Sequence, residues 1–118
     1  MRFLARCFGR KEPPPPPEAH ALIVRFKYGT EDLQPIFEVG QRLETALQEA
    51  GAGDFDGKEI ATDFSDGSLY MYGPDGDRLL EVAAPILESC AFLEGAHLTV
   101  RYGPPSEGVR RRILTLGP

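Results

Sequence analysis

The feature that most limits how this chain can fold is the spacing of its apolar residues, which switches several times between strand and helix periods. Over His20–Tyr28, Leu22, Val24, Phe26 and Tyr28 share one face, while Ile23, Arg25 and Lys27 share the other. This is the alternation of a half-buried strand. Leu33, Ile36, Phe37, Gly40, Leu43 and Leu47 then recur at helical spacing. Pro35 fits the opening turn, Thr30 is the expected cap with Glu31 and Asp32 behind it, and Gly51 and Gly53 end the helix.

Alternation returns over residues 58–65, with Ile60, Thr62 and Phe64 on one side and Glu59, Ala61 and Asp63 on the other. Asp66-Gly67 follows, and Asp-Gly between two alternating runs predicts a two-residue hairpin turn. The next strand, Leu69–Tyr72, then turns Leu69 and Met71 inward and Tyr70 and Tyr72 outward. Leu79, Val82, Ala83, Ile86, Leu87 and Cys90 hold helical spacing, so Pro74-Asp75-Gly76-Asp77 predicts a helix start rather than a second hairpin. Pro85, mid-helix and without an amide hydrogen, is expected to kink or split that helix. A fourth strand over residues 96–102, a proline-containing loop and a fifth strand over residues 109–116 complete the chain.

The resulting order is β-α-β-β-α-β with one added strand. Short hairpins and two crossover helices predict an α+β, ferredoxin-like sandwich with an added C-terminal edge strand and both helices on one sheet face. The expected sheet order is fifth-fourth-first-third-second. Five consecutive prolines, Pro13–Pro17, cannot join this pattern and form a stiff spacer of ~3.1 Å per residue. The domain reading is therefore a disordered basic leader over 1–12, a polyproline linker over 13–19 and a single domain over 20–118.

The 118-residue chain has a formal net charge of -5. Its first twelve residues hold Arg2, Arg6, Arg10 and Lys11 against Glu12 alone, so the body is more acidic than the whole. An acidic body disfavours generic phosphate-backbone binding. Cys7 and Cys90 form neither a disulfide framework nor a metal cluster, which points to a reducing, cytoplasmic compartment. No apolar run approaches the ~18–20 residues that span a bilayer, and MRFLARCFGRKE lacks the apolar centre of a signal peptide.

Asp54, Asp56, Glu59 and Asp63 suggest calcium, but with Gly57 aligned to the loop glycine Ala52 falls at the first ligand position and Asp63 at the last. No metal and no cofactor is expected. His97 is the sole candidate for an enzymatic reading, and no nucleophile motif or phosphate loop accompanies it. The sheet face away from the helices gathers the remaining candidates: Arg25, Lys27, Asp63, Tyr70, Tyr72, His97 and Arg101. Tyrosines among cations resemble the stacking platform of RNA-recognition domains. Yet Ile23 stands where the first-strand aromatic belongs, and Asp66-Gly67-Ser68 replaces the basic start of the third strand. The principal expectation is a non-enzymatic domain whose open face contacts a protein partner or a second copy. Nucleic-acid binding through Tyr70, Tyr72 and the neighbouring cations is the alternative.

Gly53-Asp54-Phe55-Asp56-Gly57-Lys58-Glu59 followed by Leu69-Tyr70-Met71-Tyr72-Gly73-Pro74-Asp75 resembles a family of small uncharacterised bacterial proteins. The resemblance spans about residues 20–103. It implies a bacterial cytoplasmic setting and carries over no site residues.

Overall fold

The structure, a computed structural model, describes the backbone of Leu4–Arg6 and residues 19–117. Its strands are β1 (Leu4–Arg6), β2 (His20–Lys27), β3 (Asp54–Ala61), β4 (Asp66–Gly73), β5 (His97–Arg101) and β6 (Arg111–Thr115), with helices α1 (Gln34–Ala50) and α2 (Gly76–Glu88). All strand pairs are antiparallel and form one sheet in the order β1-β3-β4-β2-β5-β6. The strands from residue 20 onward thus stand second-third-first-fourth-fifth, and the architecture is α+β.

One face of the sheet is covered. Leu22, Val24, Leu69, Met71, Leu98 and Val100 share a single buried cluster with Ile36, Val39, Leu43 and Leu47 of α1 and Leu79, Ala83 and Leu87 of α2. The apolar stripes read from the sequence are these packed stripes, and their removal from water is the main force that assembles the layers.

The helix ends follow local chemistry. Asp75 caps α2 by accepting from the amides of Asp77 at 3.0 Å and Arg78 at 3.3 Å, and α2 continues unbroken through Pro85 rather than splitting there. Thr30 does not cap α1. Its Oγ1 accepts from the Asp32 amide, Asp32 Oδ1 accepts from the Gln34 amide, and the helix begins one turn later than expected, with Pro35 in its first turn. Gly51, at φ 64°, closes α1 in the left-handed conformation.

The β3–β4 hairpin departs from expectation. Asp66-Gly67 is not the turn; it opens β4. The reversal lies at residues 62–65, where Phe64 takes φ 60° and Asp63 Oδ1 accepts from the Ser65 amide at 3.0 Å. The reason is packing. A Cβ on Gly67 would lie 2.8 Å from both Ile60 Cδ1 and Phe26 Cζ, so this glycine admits two core side chains rather than a tight turn. Asp63 therefore leaves the sheet, and Ala61, opposite Leu4, is buried. A register shift between Phe55 and Gly57 also changes the parity of β3 and sends Lys58 inward, opposite Leu69.

Of the expected disordered leader, only Leu4–Arg6 falls within the described residues, and it pairs with Glu59–Ala61 as a three-residue edge strand. The remainder of the leader and residues 13–18 of the polyproline linker lie outside the described residues.

At the other end of β4, a Cβ on Gly73 would meet the Ala52 carbonyl at 2.2 Å. Gly73→Ala is expected to lower unfolding free energy by about 3 kcal/mol, because backbone cannot yield. Gly67→Ala should cost about 1–2 kcal/mol, since side-chain ends can shift. Gly117→Ala, with nothing within 4 Å, should be silent. Urea unfolding of the three variants checks this order.

Candidate functional site

The sheet face opposite the helices, which no described element covers, is built from three cross-strand rows. One runs Asp54, Tyr72, Ala21, Arg101, Arg111, and the next runs Gly57, Tyr70, Ile23, Thr99, Ile113. The third runs Glu59, Ser68, Arg25, His97, Thr115, and Lys27 stands opposite Asp66 at its margin. Neighbours in a row are close enough for their side chains to interact. The middle row is the apolar one, ending in Ile113, which is 71% exposed.

Six of the seven expected residues belong to this face. Tyr70, Tyr72 and Arg101 are half-buried, and Arg25, Lys27 and His97 are exposed. Asp63 is not among them, for it sits in the hairpin turn and accepts from the Ser65 hydroxyl at 2.6 Å. Arg101 is partly committed, its Nε donating to the Gly103 carbonyl at 2.8 Å. A hollow of about 340 Å³ opens on the face where Arg25, Lys27, Asp66, Ser68, Tyr70 and His97 converge. His97 Nδ1 lies 3.4 Å from Thr115 Oγ1. This combination of a ring, a hydroxyl, two cations and a carboxylate suits recognition of a polar group beside an apolar strip.

A wider open groove, about 960 Å³, runs between the helices past Val39, Arg42, Ala46, Ile86 and Phe92. Cys90 borders it, with Sγ 3.4 Å from the Ile86 carbonyl and 3.9 Å from Arg42 Nη1. Among the described residues no grouping of three or more His, Cys, Asp or Glu side chains is arranged to hold a metal, and no helix is long and apolar enough to cross a membrane.

Two arrangements escape sequence reasoning. Lys58, turned inward by the bulge, is 3% exposed with Nζ 4.1 Å from the centre of the Phe37 ring, a cation–π contact that keeps a charge under cover. The second is a polar cluster joining β6 to α2. His20 Nδ1 accepts the Gly76 amide at 2.8 Å, and the His20 ring meets Tyr102 edge-on. The Tyr102 hydroxyl donates to Asp77 Oδ1 at 2.5 Å, Arg112 approaches the same carboxylate at 3.8 Å, and Arg110 stacks 4.1 Å over the Tyr102 ring. His20 Nδ1 must be unprotonated to accept, which sets the tautomer.

No family model matches the chain, and no curated protein or solved structure matches it.

The hydrogen bond to Asp77 holds the Tyr102 phenol above its ordinary pKa of 10.0, with burial adding to the effect and Arg112 opposing it. A raised pKa favours the neutral form in the folded state. The contact's contribution is therefore intact below pH 10.0 and is lost as pH rises through the raised value. Asp77→Ala should bring the Tyr102 phenol back toward 10.0, read as the ultraviolet absorbance difference between this variant with and without Tyr102→Phe.

Proposed function

We propose that this is a non-enzymatic binding domain whose open sheet face contacts a protein, either a separate partner or a second copy. The observation that carries this reading is the middle row, where Tyr70, Ile23, Thr99 and Ile113 form a strip with one small polar residue in it. Arg25, Lys27, His97 and Arg101 flank it. Aromatic residues and arginine are the types that dominate protein contact energetics. The resemblance carried by residues 53–59 and 69–75 adds a bacterial cytoplasmic setting to the proposal. A ferredoxin-like sandwich with one added C-terminal strand is the fold reading that accompanies it, supported by two helices packed on one face of a five-strand antiparallel array from residue 20 onward.

Charge argues for protein rather than nucleic acid as the ligand. Asp54, Glu59 and Asp66 are interleaved with the cations across the same rows, whereas a phosphate-binding surface concentrates one sign.

Affinity capture followed by binding measurements on wild type and Tyr70→Ala/Tyr72→Ala tests the proposal. Loss of two hot-spot tyrosines should weaken the interaction at least about 30-fold, with the unfolding midpoint of the double variant little changed because both rings are only half-buried. Equal binding by the two proteins would place the contact elsewhere. Salt-sensitive oligonucleotide binding abolished by the same variant would favour nucleic acid instead.

A further inference from the structure

The two ends of the sheet are finished differently. Beyond β3 lies the three-residue strand β1, whereas β6, five residues long, has no strand beyond it among the described residues. Very short edge strands are one way proteins prevent unwanted pairing, and a longer uncovered one is open to it.

The hydrogen-bond parity of β6 can be read from its two ends. The Tyr102 amide donates to the Arg110 carbonyl at 2.9 Å, and the Leu116 amide donates to the Ala96 carbonyl at 2.9 Å. Both belong to the register that pairs Val100 with Arg112 and Leu98 with Leu114. Alternation in an antiparallel ladder then turns the backbone groups of Arg111, Ile113 and Thr115 away from β5 and toward the open edge. The same three residues carry their side chains on the open face, with Ile113 at the centre and 71% exposed.

We infer that β6 pairs antiparallel with β6 of a second copy about a two-fold axis at Ile113. In that register Ile113 faces its own symmetry mate, Arg111 faces Thr115, and Arg112 faces Leu114. Every outward amide and carbonyl of the three residues finds a partner, and no arginine stands opposite an arginine. Sliding the axis to Arg111 would set arginine against arginine, and sliding it to Thr115 would leave Arg111 without an opposing residue, so charge and the number of paired residues together select Ile113. Two of the three arginines are already engaged within their own copy, Arg110 over Tyr102 and Arg112 toward Asp77, which lowers the repulsion between copies. The middle apolar row becomes continuous through the axis, from Tyr70 of one copy to Tyr70 of the other. This inference concerns the edge of the sheet; it shares Ile113 with the open-face proposal, and the tyrosine substitutions separate the two.

Light scattering on the full chain over a concentration series, with residue-resolved amide exchange, tests it. The expected result is a mass twice the 13.0 kDa of the chain and slowing of exchange at Arg111, Ile113 and Thr115, at least about tenfold as dimer forms. Ile113→Pro removes an edge-facing amide that β5 does not use and should give a monomer. Ile113→Lys should do the same without any backbone change. Tyr70→Ala/Tyr72→Ala should leave the dimer intact. A monomer at every concentration overturns the inference. So does a dimer in which those three amides stay fast, or one broken by the tyrosine substitutions and untouched by Ile113→Lys.

Discussion

The register of β4 is the constraint on which the rest of the structure depends. Its inward positions are Gly67, Leu69, Met71 and Gly73, and its outward positions are Asp66, Ser68, Tyr70 and Tyr72. The two glycines pin this strand at both ends. Gly67 makes room for Ile60 and Phe26, and Gly73 lets the chain at Ala52 and Gly53 cross at backbone contact distance. A slip by one residue would drive side chains into both places and turn two tyrosines into the core. Core and candidate face are thus two consequences of one alternation.

Much of this was legible because alternation and helical spacing are local signals. Leu22, Val24 and Phe26 against Ile23, Arg25 and Lys27 specify which side of β2 is buried, and Leu69 and Met71 do the same for the tyrosines of β4. The helix start at Asp75 was legible for the same reason, since its cap bonds reach only two and three residues along the chain. The hairpin was not. Asp66-Gly67 has the chemistry of a tight turn, and only contacts from Phe26 and Ile60 require that glycine inside a strand. The turn moved to residues 62–65, taking Asp63 from the expected site. The shift between Phe55 and Gly57 breaks the alternation, so that Phe55 and Lys58, three positions apart, both face inward. Nothing short-range announces the His20, Tyr102, Asp77 and Arg112 cluster, whose members come from three distant parts of the chain.

That cluster also explains how a thin edge strand is held. β6 has β5 as its one strand neighbour among the described residues, and only Leu114 within it, with Leu116 just after it, joins the apolar cluster. Arg112 toward Asp77, and Arg110 over a tyrosine that donates to the same carboxylate, tether it to the start of α2. Each exposed contact is modest in water, and their convergence on one carboxylate orders the strand that terminates the open face.

The proposed role puts this domain's protein contacts on the sheet face opposite the helices. Backbone amide chemical-shift mapping of the labelled full chain against its captured protein partner reads the location of those contacts. Perturbations are expected to centre on Ile23, Arg25, Ser68, Tyr70, Tyr72 and Thr99. Perturbations centred instead on the groove between α1 and α2, around Arg42, Ile86 and Phe92, would contradict it.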